Sequence, residues 1–452
     1  MNKRTRWIMM GTGLLTAVIL VVLLFLLKGK SSYRDSLPTH LQALARLDAG
    51  LVQEQIPDLF TESLPPNVSH CGIDFSLPLY AFVDDTDHLG VLLPLSSASQ
   101  WEDYLQGMDI SIEKQRGYRW ACHDHWLMVF SDDRCLMHGP LSEQEIVQIR
   151  GRMAELMKQR PDEEDLLLTH IEKSDAPLST VFSLRFAKRL MTRLFPSSAP
   201  FWHNASEGCI SMDVHAKDRM ITADVALHDV SAQSLLPFLG PIPADGLPQL
   251  GEQQMAAVTM GMNGEALLQT LRSYPSVRTA LLALNFCLDL DQMIRSVDGP
   301  VTLFVPDADD VLSASSLVAQ LRDTRFMQNS NDWEREFPAG WGIRMDAMGD
   351  SAFSVHMPHQ EICFGVKDSR LIVASSKQAF HTACSPSALN PYGAKVASDD
   401  CLVCVQLNIP SLLKHAAVLA LFVEPGPGIM EFLSGYDTFV LRMKDYIEEE
   451  QR

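Results

Sequence analysis

Cys122-His123-Asp124-His125, followed by Asp132 and Asp133, is the nearest approach to a reactive site in this 452-residue sequence. Imidazole, thiolate and carboxylate are the donors that a zinc ion prefers. Asp124, however, falls where a hairpin turns between RWAC and WLMVF, and two histidines two apart still need a third ligand from elsewhere. The run reads first as a polar hairpin tip; as a metal site it would use His123, Asp124 and His125. Acidic clusters recur at Asp84-Asp85-Asp87, Asp132-Asp133 and Asp307-Asp309-Asp310. A calcium loop needs ordered oxygen ligands and a distal glutamate, which VDDTDHLG lacks, so solvated turns are expected there. Paired carboxylates suited to glycoside hydrolysis occur in any chain with 56 acidic residues and select nothing.

Cys401 and Cys404 form a CxxC, but CLVCVQL is apolar and strand-like. Positions three apart on a strand point to opposite faces, so this pair is expected to be two buried thiols rather than a redox or zinc motif. Nine cysteines scattered over more than 300 residues do not make the disulfide framework of a small secreted domain. HExxH, GxSxG, GxxxxGKS/T and a GxGxxG opening a helix are all missing. The sequence alone assigns no catalytic, cofactor-binding or metal-ligating residue and no cofactor.

Charge and hydropathy set the wider frame. Residues 1–34 hold six Lys or Arg and no acid, which leaves 31 basic and 56 acidic residues beyond them in a chain of net charge −19. An acidic body repels phosphate backbones, so nucleic acid is excluded as a partner. Trp7 to Leu27 is an uncharged apolar run of the length that spans about 30 Å as a helix, followed directly by Lys28-Gly29-Lys30. This run predicts a single-pass signal anchor without cleavage, with residues 7–27 in a lipid bilayer. Residues 1–30 would be cytoplasmic tail and anchor and 31–36 a tether, with the rest in the periplasm of a bacterial inner membrane.

Beyond the tether, alternating strands end at a polar corner that opens a helix. Leu41–Leu47 leads through Asp48, and Ala256–Met262 leads through Asn263, with corners 215 residues apart. Ser179–Leu184 leads through Arg185, and Cys401–Leu407 through Asn408, 223 apart; LYAFV and VTLFV end 222 apart. Those offsets predict an internal repeat, with two lobes over 37–245 and 246–452 and a Gly/Pro-rich boundary at Gly240–Gly246. GCISMDVHAKDRMITADVALHD alternates about a Lys217-Asp218 turn and predicts a hairpin. The expected fold class is α+β, with two duplicated lobes of antiparallel sheet and helices packed on one face.

The exported leader, LxxLARLDAGLV, GIDFSLPLYAFV, GVLLPLSSASQWEDYL, SVDGPVTLFV and FGVKDSRLIVAS together resemble a family of exported bacterial proteins of unknown function, frequent in the Bacteroidetes and usually lipid-anchored. This chain departs from that pattern in having no Cys before Cys71 to carry a lipid. The resemblance implies an envelope protein and supplies no catalytic residue. Two functions follow as expectations. The first is a membrane-anchored binding or scaffold protein whose acidic ectodomain meets an unknown envelope protein or ligand. The alternative is a metal-assisted hydrolase acting on an envelope polymer.

Overall fold

The computed structural model describes residues 33–445 apart from 56–70, 116, 159–165, 195–207, 230–235, 244–245, 248–249, 251–252, 286, 308–313, 331–332, 334–340, 350, 359, 385–400 and 416–432. Its strands are, in chain order, β1 (Leu41–Leu47), β2 (Leu79–Asp84), β3 (Leu89–Pro94), β4 (Ile112–Gln115), β5 (Tyr118–His123), β6 (Trp126–Phe130) and β7 (Arg134–Gly139). Then come β8 (Leu178–Ser183), β9 (Cys209–Lys217), β10 (Met220–His228), β11 (Leu239–Gly240), β12 (Gln254–Asn263) and β13 (Val297–Pro306). The last are β14 (Ser316–Leu321), β15 (Arg344–Gly349), β16 (Ala352–Met357), β17 (Gln360–Lys367), β18 (Arg370–Ala374), β19 (Cys401–Asn408) and β20 (Thr438–Asp445). The chain divides into two compact units, Met1–Leu41 with Asn67–Asp165, and Gln42–Pro66 with Leu166–Arg452.

In the first unit the strands pair antiparallel in the order β2-β3-β7-β6-β5-β4. The helix Ala98–Gly107, capped by Ser97, buries Ala98, Trp101 and Leu105 along one face, at the spacing of an amphipathic helix. They pack with Met128, Phe130 and Cys135. On β3, Gly90 is required because a Cβ there would lie 2.2 Å from Cζ of Phe82. Opposite Gly90 on β7 stands His138, 1% exposed, edge-on to the Phe82 ring at 5.3 Å. Neither of its ring nitrogens has a hydrogen-bond partner. Burial therefore drives its pKa down from 6.5 to about 4, against the pull of the Asp84 carboxylate.

The second unit carries one large sheet in the order β15-β16-β17-β18-β14-β13-β12-β19-β20-β10-β9-β8-β1. Every pair in it is antiparallel except β10 with β20, which run parallel from Met220↔Thr438 to Leu227↔Asp445. Asp224 and Arg442 face each other in that register, and the guanidinium donates from Nε and Nη2 to the two carboxylate oxygens, each at 2.6 Å. Among the described residues, three hairpin loops hold two consecutive left-handed residues, Asp124-His125, Asp218-Arg219 and Asp368-Ser369, the type I′ geometry that suits the twist of paired strands. The hairpin expected at Lys217-Asp218 thus turns one residue later.

The expected fold class requires correction. Residues 178–228 share a sheet and a compact unit with 254–445, so the strands do not separate into two lobes at Gly246. Strand content dominates over a one-sided layer of helices. A strand order does recur: β2-β3-β7-β6-β5-β4 has the connections of β13-β14-β18-β17-β16-β15, and β1-β8-β9 those of β12-β19-β20. Ala45 faces Thr180 and Met260 faces Val403, so both members of the pair keep the sequence offsets of 215 and 223.

The transmembrane expectation is corrected as well. Residues 7–27 lie outside the described residues, and among the described residues no helix is long and apolar enough to cross a membrane. The longest of these, Glu143–Leu156, has 14 residues, a length of about 21 Å at 1.5 Å per residue, and carries Glu143, Glu145, Arg150, Arg152 and Glu155. No described helix therefore supplies the signal anchor or the single pass, and the inner-membrane placement with a periplasmic body has no support among the described residues.

Two predictions follow. Replacing Arg442 by Met should lower the stability of the second unit by about 2 kcal/mol, because it strands the Asp224 carboxylate. In a urea-unfolding cycle with Asp224→Ala, the double variant should lose little more than either single one; additive losses would show that the pair does not act as a unit. For His138, the folded pKa of about 4 lies below the unfolded value of 6.5, so between those values the unfolded chain binds the extra proton. Stability should hold above pH 6.5 and fall as pH drops toward 4, and His138→Leu should flatten that slope in unfolding curves taken at pH 7, 6 and 5. An unchanged slope would refute the assignment to His138.

Candidate functional site

The hairpin tip does not gather its ligands. Asp124 and His125 occupy the two left-handed turn positions, so His125 is off the strand face that His123 shares. Its Nδ1 lies 3.1 Å from the Leu141 carbonyl, while His123 Nε2 lies 3.2 Å from Asp124 Oδ2 at an exposed position. Of the acidic clusters, Asp309 and Asp310 lie outside the described residues, and the others serve turns and ion pairs. Asp84 accepts from the backbone N–H groups of Thr86 and His88, and at Asp133, where burial would raise the pKa, the hydrogen bonds accepted from Arg134 and Ser131 hold the carboxyl below the usual range.

Asp307 brings a serine and a histidine together without making a catalytic triad. Ser411 Oγ donates to its Oδ2, and His415 Nε2 lies 2.7 Å from its Oδ1. Those two bonds, the serine's first, hold the carboxyl down at about 2. The carboxylate sits between hydroxyl and imidazole, whereas nucleophile activation needs the imidazole to touch the hydroxyl. A cleft of about 190 Å³ in the first unit is lined by Pro38, Thr39, His40, Arg152, Glu155 and Leu156. Its Arg152 is taken up by ion pairs with Asp84 and Asp85, and its hydrogen bond lowers the Asp85 pKa.

Cys401 and Cys404 do share a face, contrary to the alternation rule. A register shift against β20 between Cys401 and Val403 supplies the extra residue, and both thiols are buried with Ile242 and Val440. The Cys404 thiol stabilises Cys401 in its ionised form, and the same contact pushes Cys404 up. No third ligand group joins them among the described residues.

A mixed donor set forms elsewhere, in the second unit. One ligand atom each from His170, Cys209 and Asp229 lie within 4.8 Å of one another. His170 comes from the helix Leu166–Glu172, which packs on β8 and β9. Cys209 opens β9, where it pairs with Ser183 on one side and His228 on the other. Asp229 follows the last residue of β10 in left-handed backbone, φ 61°, which takes its side chain out of strand alternation. Cys209 is fully buried, His170 half-buried and Asp229 exposed, so the donors run from the protein interior to its surface. His228 flanks them, its ring 4.1 Å from that of His170 and its Nε2 2.8 Å from Ser211 Oγ. Burial first, and His170 second, lower its pKa to about 4, which leaves it neutral at pH 7.

Zinc bonds of about 2.0–2.3 Å in a tetrahedron require donors roughly 3.5 Å apart, so the three donors would have to close in by up to about 1.3 Å and leave the fourth position open. Sequence reading missed it because its residues come singly from three elements, with no motif spacing. The available signal was the 208–229 hairpin, whose two ends must meet once its turn is placed at Asp218-Arg219.

No family model matches this chain, and no curated protein does. Among solved structures it is similar to crystal form I of TP0453 at 7% identity, with a TM-score of 0.30, over 80% of this chain and 100% of that one. Crystal form IV of TP0453 gives 6% identity and a TM-score of 0.30 over 42% of this chain and 80% of that one. Likeness at that level assigns neither fold nor function.

Proposed function

We propose that this chain is a binding protein whose ligand is a divalent cation of the zinc class, held by His170, Cys209 and Asp229. The observation that carries this reading is the convergence of an imidazole, a thiol and a carboxylate within 4.8 Å of one another. A thiolate and an imidazole favour a borderline-soft ion over calcium or magnesium, which take oxygen ligands. Occupancy would tie the helix Leu166–Glu172 to both ends of the β9–β10 hairpin. This reading is distinct from the binding or scaffold role toward an envelope component expected from the sequence, and its residues are other than His123, Asp124 and His125.

The full chain equilibrated with zinc and then dialysed should retain about one zinc per molecule by elemental analysis. Cobalt(II) in its place should give a thiolate-to-metal charge-transfer band that is lost in Cys209→Ser and weakened in His170→Ala and Asp229→Asn. At free zinc of a hundred times the Kd, unfolding should cost about 2.7 kcal/mol more than without metal. Failure to retain metal, or a cobalt band that survives Cys209→Ser, would overturn the reading.

A further inference from the structure

The zinc-class reading leaves His228 without a task, although it lies against two of the three donors. In the antiparallel β9–β10 register His228 is directly opposite Cys209, and opposed residues project from the same face of a sheet. Ser211, two residues along β9, projects from that face too. The imidazole is therefore held on one edge by Ser211 Oγ, at 2.8 Å from its Nε2, while its ring lies tilted against that of His170, with ring centroids 4.1 Å apart and planes 33° apart.

We propose that His228 is a positioning residue for the metal site, keeping the His170 ring turned toward Cys209 and Asp229 by stacking on it rather than by donating to the metal. His170 sits on a helix of seven residues, and any rotamer freedom its side chain retains is lost on binding. Stacking on a ring already fixed by the ladder and by Ser211 restricts that freedom before the ion arrives. Donation from His228 would demand a different geometry, with Nε2 leaving Ser211 or the ring turning its edge from its stacked position. The inference rests on the zinc-class reading above and adds to it the group that orients a ligand.

Removal of groups that orient metal ligands weakens affinity by about 10–100-fold. The test is the cobalt(II) and zinc affinity of the full chain, by competition with a chromophoric chelator, for wild type, His228→Ala and His228→Phe. His228→Ala should bind about 10–100-fold more weakly, whereas His228→Phe, which keeps an aromatic ring against His170 but loses the nitrogen donor and the Ser211 bond, should lose distinctly less than His228→Ala. The cobalt ligand-field spectrum of His228→Phe should match wild type, since the donor set is unchanged. A loss in His228→Phe as large as in His228→Ala, or an altered spectrum, would make His228 a ligand and overturn the proposal. Equal affinity of His228→Ala and wild type would also overturn it while leaving the metal site standing. A wild type that binds no metal would instead sink the underlying reading. Should His228→Ala fail to fold, the His228→Phe affinity and spectrum still discriminate between stacking and donation.

Discussion

The parallel pairing of β10 with β20 is the constraint on which the large sheet depends. It joins segments 218 residues apart at Asp224 and Arg442, and with it β1, β8, β9 and β10 share one sheet with β12–β20. Parallel pairs gain no help from a short connecting turn, so their register has to be set by side chains and by the neighbours on either side. Here the two-pronged Asp224–Arg442 bond selects one register: a shift by one residue would turn one partner to the opposite face. That register fixes β10, and β10 fixes through its hairpin with β9 where Cys209, His228 and Asp229 come to lie.

An acidic chain would be expected to suffer from its own charge, and the structure shows how much of that charge is put to local use. Left-handed backbone at Asp87, Asp124, Asp218 and Asp368 places aspartates where their short side chains tolerate it, in turns. Others end in ion pairs or caps, such as Asp307 with Ser411 and His415, or Asp323, whose carboxyl is held at about 2 first by Arg325. Buried histidines take the opposite course: His138 and His228 stay neutral because burial makes their charged forms costly.

The amino-acid sequence by itself determined the local elements. Alternation in LYAFV, in the 208–229 hairpin and in CLVCVQL placed strands, and Asn263 and Asn408 were legible as helix caps because a short amide side chain at such a corner satisfies a free backbone N–H. The offsets 215 and 223 were legible for the same reason, since a pair of strands and their corners repeat a local pattern. Tertiary structure alone decided the rest. A single register shift in β19 reversed the expectation that Cys401 and Cys404 face apart, and a turn one residue later than Lys217-Asp218 set Cys209 opposite His228. The units, too, follow non-local hydrogen bonds and not the Gly/Pro-rich stretch near Gly246, because which strands share a ladder is settled by pairing between distant segments. The gathering of His170, Cys209 and Asp229 belongs to the same class: each residue is unremarked in its own segment, and only the packing of a helix against both ends of a hairpin makes them neighbours.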